Sequence, residues 1–252
     1  MKNVFRWMVA AALLVSSPAA LATPSTVFWT PATTYTQPYL VPHLTYDTYF
    51  AEAGSYPVTT GLTIGVLPFD AVQGEVGFDL LYPSKGDAAL LLNGKLTLVE
   101  GKLADWQPGL SAGIMAAGVK KDVTTYDMLY AVASKTVPVV GTLAVGGYYG
   151  ANKTLFVDAT GAKAQGGLIA SWTSNDLVVD KPALNKVNFF ADLQTGKNAF
   201  GAVGAGVGFY FTPAIDVLAG PIFFLEPKVQ PGQADWMWSM QLDVDLDFAA
   251  KK

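Results

Sequence analysis

The sequence holds one histidine, His43, and no cysteine. That removes thiolate nucleophiles, disulfide frameworks, iron–sulfur clusters and zinc sites built from several imidazoles. His43 and Asp47 stand four residues apart and share a face if the segment is a strand. An aspartate–histidine hydrolase would begin from such a pair, but no further acids assemble beside it. A lipase would need a serine within hydrogen-bond reach of His43, and no serine motif surrounds it. The run from Gly201 to Gly208, with further glycines at 204 and 206, has the composition of a phosphate-binding loop. Such a loop must lead into a helix whose N-terminus holds the phosphate. This one leads into Phe209-Tyr210-Phe211-Thr212-Pro213, a strand. Neither catalysis nor a cofactor is expected.

The carboxylates form the clearest pattern. Asp243, Asp245 and Asp247 occupy alternate positions, which on a strand places them on one face about 7 Å apart. One strand so spaced cannot encircle a calcium ion. Rings of carboxylates facing a pore do favour cations, and that chemistry fits the pattern if the strand lines a lumen.

The elements must therefore supply a lumen. The chain has 252 residues, of which 51% are apolar and only 14% charged, against roughly 25% charged in an ordinary soluble domain. Disorder is excluded by the same figures. The N-terminus reads as a signal peptide over 1–22, with Lys2 and Arg6, an apolar run Trp7 to Val15, and a small-residue cleavage site ending at Ala22. Nine apolar residues are too few to span a bilayer as a helix. Cleavage leaves 14 lysines, no arginine and 20 acids, a formal charge of −6, which is unsuited to nucleic acid.

From Trp236 to Phe248 every even position is apolar, while the odd positions include Ser239, Gln241 and the three aspartates. That is a period of two. It recurs around Val72–Leu80, Leu90–Leu98 and Val187–Leu193. Turn signals divide the chain into about twelve strands, near 43–52, 59–68, 72–82, 88–100, 108–120, 125–137, 141–152, 162–174, 184–195, 199–212, 215–226 and 236–248. Longer links are expected at 100–108, 152–161, 174–184 and 226–236, and tight turns at Pro68–Asp70, Thr195–Asn198 and Thr212–Ala214. Strands of this length suit a tilted bilayer crossing, and closure alone satisfies the sheet edge in lipid. The expected fold is all-β, a transmembrane antiparallel up-and-down β-barrel of about twelve strands spanning 43–248. Tyr82, Trp106, Tyr126, Trp172, Tyr210, Phe211 and Trp236 fall near strand ends, where interface rings are expected. His43 then reads as a rim or interface histidine. A segment at 23–42 carries Pro24, Pro31, Pro38 and Pro42; its expected roles are a luminal plug, a loose pairing at the periplasmic rim, a partner-binding segment or a simple linker. A polar tail, 249–252, closes the chain.

The last strand resembles the C-terminal assembly signal of bacterial outer-membrane proteins through Phe248 and the alternation before it, with Ala249-Ala250-Lys251-Lys252 added. A wider likeness rests on Gly61–Pro68, Gly74–Asp79, Gly196-Lys197-Asn198, Tyr210–Pro213 and Gly220-Pro221. These stretches resemble an uncharacterised family of bacterial outer-membrane, porin-like proteins. The resemblance implies a barrel and carries no activity or site residues.

The alternation rule points Asp47, Glu75, Asp79, Asp127, Asp192, Asp243, Asp245 and Asp247 into the lumen, with Lys95 the clearest inward base. The expectation is an outer-membrane channel for passive diffusion of small solutes, cation-preferring through these carboxylates. A non-conducting structural or partner-binding barrel is the alternative; an apolar-solute carrier or lipid-modifying enzyme ranks below both. Expected partners are outer-membrane lipids, small solutes or cations, and the barrel-assembly machinery through 236–248.

Overall fold

The computed structural model describes residues 26–52, 54, 56–82 and 89–246. The expected signal peptide, Asp247, Phe248 and the polar tail lie outside the described residues.

The alternating segments become strands of one antiparallel sheet: β1 (Pro42–Phe50), β2 (Val58–Gly65), β3 (Val72–Tyr82), β4 (Ala89–Leu98), β5 (Gly109–Gly118), β6 (Met128–Val137), β7 (Gly141–Gly150), β8 (Gly166–Thr173), β9 (Leu177–Lys181), β10 (Leu184–Gln194), β11 (Ala202–Thr212), β12 (Ile215–Phe224) and β13 (Trp236–Asp245). β13 returns to pair with β1 over His43–Phe50, so the sheet closes. β10 pairs with β8 over Phe190–Gln194 and with β9 over Leu184–Val187, on the same edge. The 13 strands therefore occupy twelve staves of a closed barrel. The link expected at 174–184 is corrected here: Leu177–Lys181 prolongs the β8 stave beyond a short break, and Pro182-Ala183 makes the turn, where no ladder N–H is needed. Thr195–Asn198 is likewise part of a longer connection, 195–201.

Side chains sort by parity. On β13, Trp236, Trp238, Met240 and Leu242 are exposed, while Met237, Ser239, Gln241 and Asp243 are buried. On β1, Leu44 and Tyr46 face out and His43 faces in. An apolar exterior over a polar interior inverts the order of a soluble protein and is the surface of a barrel that sits in lipid. No described helix is long and apolar enough to cross a membrane; the strands make the crossing. The turns at 138–140, 182–183 and 213–214 lie at the end where β1 begins and β13 finishes. The longer connections 119–127, 151–165 and 225–235 lie at the other. The connections 66–71 and 99–108 also lie at the turn end, so the division into short turns and long loops usual in bacterial outer-membrane barrels is followed only in part.

The interior is divided. Met128, Tyr130, Val132, Ala144, Tyr148 and Ile169 make an apolar wall on β6, β7 and β8. Buried acids gather on β12, β13 and β1 to β3, beside a second apolar cluster of Phe190, Leu218, Ile222, Phe224 and Met237 on β10, β12 and β13. Of the rings expected at the interface, Tyr82, Trp106, Phe211 and Trp236 are exposed. Tyr126 and Tyr210 are not. Tyr126 packs edge-on against Phe200 at 5.0 Å, and Tyr210 is buried with its hydroxyl accepting from Asn188 at 3.0 Å. Closeness to a strand end does not decide which face a ring takes.

Candidate functional site

The lumen contains a piece of the chain itself. Residues 26–38 precede β1 and hold Pro31 and Pro38, which cannot donate to a ladder. Their backbone groups are met instead by side chains of the barrel wall. At the turn end, Gln37 N–H donates to Glu75 Oε2 at 2.7 Å and Gln37 Nε2 to Asp245 Oδ1 at 2.9 Å. The Thr36 hydroxyl donates to Thr97 Oγ1 at 2.7 Å, and Thr34 and Ser134 join through their hydroxyls. Further in, Ser111 donates to Thr33 O at 3.1 Å and Ser171 to Ala32 O at 2.6 Å. The N–H groups of Phe28, Trp29 and Thr30 then converge on Asp192 Oδ2 at 3.1, 2.7 and 2.8 Å. Gln241 Nε2 donates to Phe28 O, and the Trp29 indole donates to Phe200 O in the loop-end rim, both at 2.8 Å. The segment thus runs lengthwise through the barrel, touching β3, β4, β5, β6, β8, β10 and β13. Thr30 and Ala32 are completely buried.

The expected lumen residues can now be placed. Glu75 and Lys95 form a buried ion pair at 3.1 Å. Asp192 is the anchor for three backbone donors. Asp79 accepts from Asn93 Nδ2 at 2.5 Å. Asp243 and Asp245 flank His43, at 3.1 Å from Nε2 and 2.7 Å from Nδ1. His43 is therefore not a rim or interface residue. Closing β13 onto β1 sets its register opposite Asp245 and buries it inside. Asp127 is a second correction: it lies before β6 with a left-handed φ of 51° and holds no inward strand position. The stave starts at Met128, so the alternation rule does not apply to it. Asp216 was missed, although Ile215, Val217 and Ala219 around it carry the same alternation; it is buried and stands opposite Asp243. Lys186 was missed as well. Its ammonium contacts Asp176 at 2.7 Å and lies 4.4 Å over the Tyr210 ring.

Above the segment, at the loop end, the lumen widens into a cavity of about 300 Å³. Trp29, Tyr49, Tyr56, Tyr126, Phe200 and Met237 line it, with Asp47 and Asp79 on the β1–β3 side. Burial pushes the Tyr56 hydroxyl up to about 12, so this ring stays neutral at any physiological pH. Both nitrogens of His43 are engaged, which makes it a clamp between carboxylates rather than a base with a free nitrogen.

No family model and no curated protein matches the sequence. Solved structures with similar folds include an outer membrane channel from Pseudomonas putida F1, 10% identical over 92% of this chain and 100% of that one, with a TM-score of 0.45. The NanC porin is 9% identical over 81% of this chain and 100% of its own, with a TM-score of 0.48. A mutant of the Rh. blastica porin is 9% identical over 82% and 99%, with a TM-score of 0.37.

Proposed function

We propose that the protein is a porin-like channel of the bacterial outer membrane, closed by its own N-terminal segment, through which small solutes diffuse when that segment is displaced. The observation that carries this reading is the file of hydrogen bonds from residues 28–37 to the wall. Those bonds end largely on hydroxyls and carboxylates, namely Thr97, Ser111, Ser134, Ser171, Glu75 and Asp192. Groups of this kind are readily solvated once the segment leaves, which supports a water-filled passage rather than a permanently dry core.

The opened lumen prefers cations in this reading. Asp47, Glu75, Asp79, Asp192, Asp243 and Asp245 outnumber Lys95 and His43 along it, and carboxylates lining a narrow passage attract cations and repel anions. Lipids cover the apolar exterior, and the assembly machinery reads the C-terminal segment 236–248. The protein is not an enzyme in this account.

The rival is a barrel that conducts nothing. It is favoured by one observation: Phe28 and Ala32 are packed into the two apolar clusters of the interior. A cysteine pair separates the two, since the chain has none of its own. Thr36→Cys with Thr97→Cys replaces two hydroxyls 2.7 Å apart, and oxidation ties the segment to β4. In a planar bilayer under a salt gradient, the oxidised protein should be silent and the reduced protein should give cation-selective steps. Silence in both states would establish the non-conducting barrel. Equal currents in both would show that the segment does not block.

A further inference from the structure

The loop-end cavity has features that closure of the lumen does not require. The Asp47 carboxyl meets the Tyr49 hydroxyl, while its Oδ1 is buried with no hydrogen-bond partner among the described residues, and Asp47 lines the cavity. Asp79 lines it from the neighbouring stave but one, across Gly61. A Cβ at position 61 would lie 2.4 Å from Asp79 Oδ1 and 2.6 Å from Thr45 Oγ1, so the glycine makes room for that carboxylate between β1 and β3. Around this acidic side stand aromatic faces. Tyr56 stacks on Phe224 at 5.8 Å and Trp29 meets the same ring edge-on at 5.9 Å, which fixes both. Phe200 is fixed by its stack on Phe156 at 5.3 Å.

A buried carboxylate oxygen without a donor favours a ligand that brings one. Aromatic faces attract an ammonium and also accept an apolar body. Among the described residues no group of three or more acids or imidazoles is arranged to hold a metal ion. The volume is at the small end for ligand cavities, enough for one ring or a short alkyl chain.

We propose that this cavity binds a small amphipathic amine, its ammonium on Asp47 with Asp79 alongside and its apolar body among Trp29, Tyr56 and Phe200. The site needs no current through the barrel, so it stands or falls apart from the channel reading.

Phenethylammonium and its neutral counterpart phenethyl alcohol are the probes, added to the full-length mature protein in detergent and followed by calorimetry and by Trp fluorescence. The amine should bind at least tenfold more tightly than the alcohol. Asp47→Asn should bring the two to parity while leaving the alcohol's affinity in place, which also reports that the cavity is intact. Where that variant fails to fold, Asp79→Asn should narrow the same ratio. Equal binding of the two probes to the wild type, a preference that survives Asp47→Asn, or binding of neither would overturn the proposal.

Discussion

Asp192 holds more of the luminal segment than any other side chain, because three successive N–H groups end on one of its oxygens. Removing that acceptor leaves three buried donors to be satisfied elsewhere. Asp192→Ala should destabilise the folded state by on the order of 3 kcal/mol, read as a lowered unfolding midpoint in detergent, and should expose residues 26–30 to protease. An unchanged midpoint together with unchanged protection would mean that the segment's other contacts hold it without Asp192. Glu100 is a milder case, outside the strands at the turn end. Burial tends to raise its carboxyl, but hydrogen bonds from Lys135 and from Thr136 outweigh this and hold it below the usual glutamate range. A depressed carboxyl contributes stability above its unfolded value, near 4.5, and loses that contribution as the pH falls through the folded value. Glu100→Gln should therefore flatten the acid limb of a stability–pH curve. The change should be well under ~1 kcal/mol, since its Lys135 partner is 42% exposed and solvent screens the pair. The single histidine was visible in the sequence, but its setting was not. Asp243 and Asp245 lie about 200 residues away, and only barrel closure brings them beside it.

At the level of elements, the outward residues of β13 are set for lipid. Met240→Arg places a charge on that face and should cost about 2–4 kcal/mol if it lies near the bilayer midplane, measured by unfolding from lipid vesicles. The neighbouring Ser239→Ala, inside the barrel, should change far less. This contrast was legible beforehand because Trp236 to Asp245 alternates so cleanly; weaker alternation at Val72–Leu80, Leu90–Leu98 and Val187–Leu193 marked three more staves, and turn signals placed the rest. β9 was not legible: Leu177 to Lys181 is too short to show a period, and its flanking Asn175, Asp176 and Pro182 read as loop. The segment at 26–38 was legible as one that could not be an interior strand and that could plug the lumen, but not in how it is held. Its prolines exclude a ladder, but the partners that hold it are single polar residues scattered over seven strands, and no local pattern marks them. Asp127 failed for a related reason, since parity has no meaning outside the stave.

Taken whole, the barrel wraps two apolar clusters and an acidic side around a length of its own chain. The Asp–His–Asp clamp and the Glu75–Lys95 pair tie the acidic side together, while Met128, Tyr148 and Ile169 fill one of the apolar clusters. Displacement of the segment is resisted both by hydrogen bonds to buried polar groups and by the apolar contacts of Phe28 and Ala32, and burial shields both from salt. The segment is also tethered. Only Pro38 to Val41 separate it from β1, and Tyr39 bridges Gly65 at the barrel foot. A blocker on so short a leash is present at its own binding site at an effective concentration of roughly millimolar or above. Reclosure is therefore unimolecular, independent of protein concentration. A free peptide of residues 26–37 at micromolar levels should leave the current unchanged, because it competes against a copy that never diffuses away.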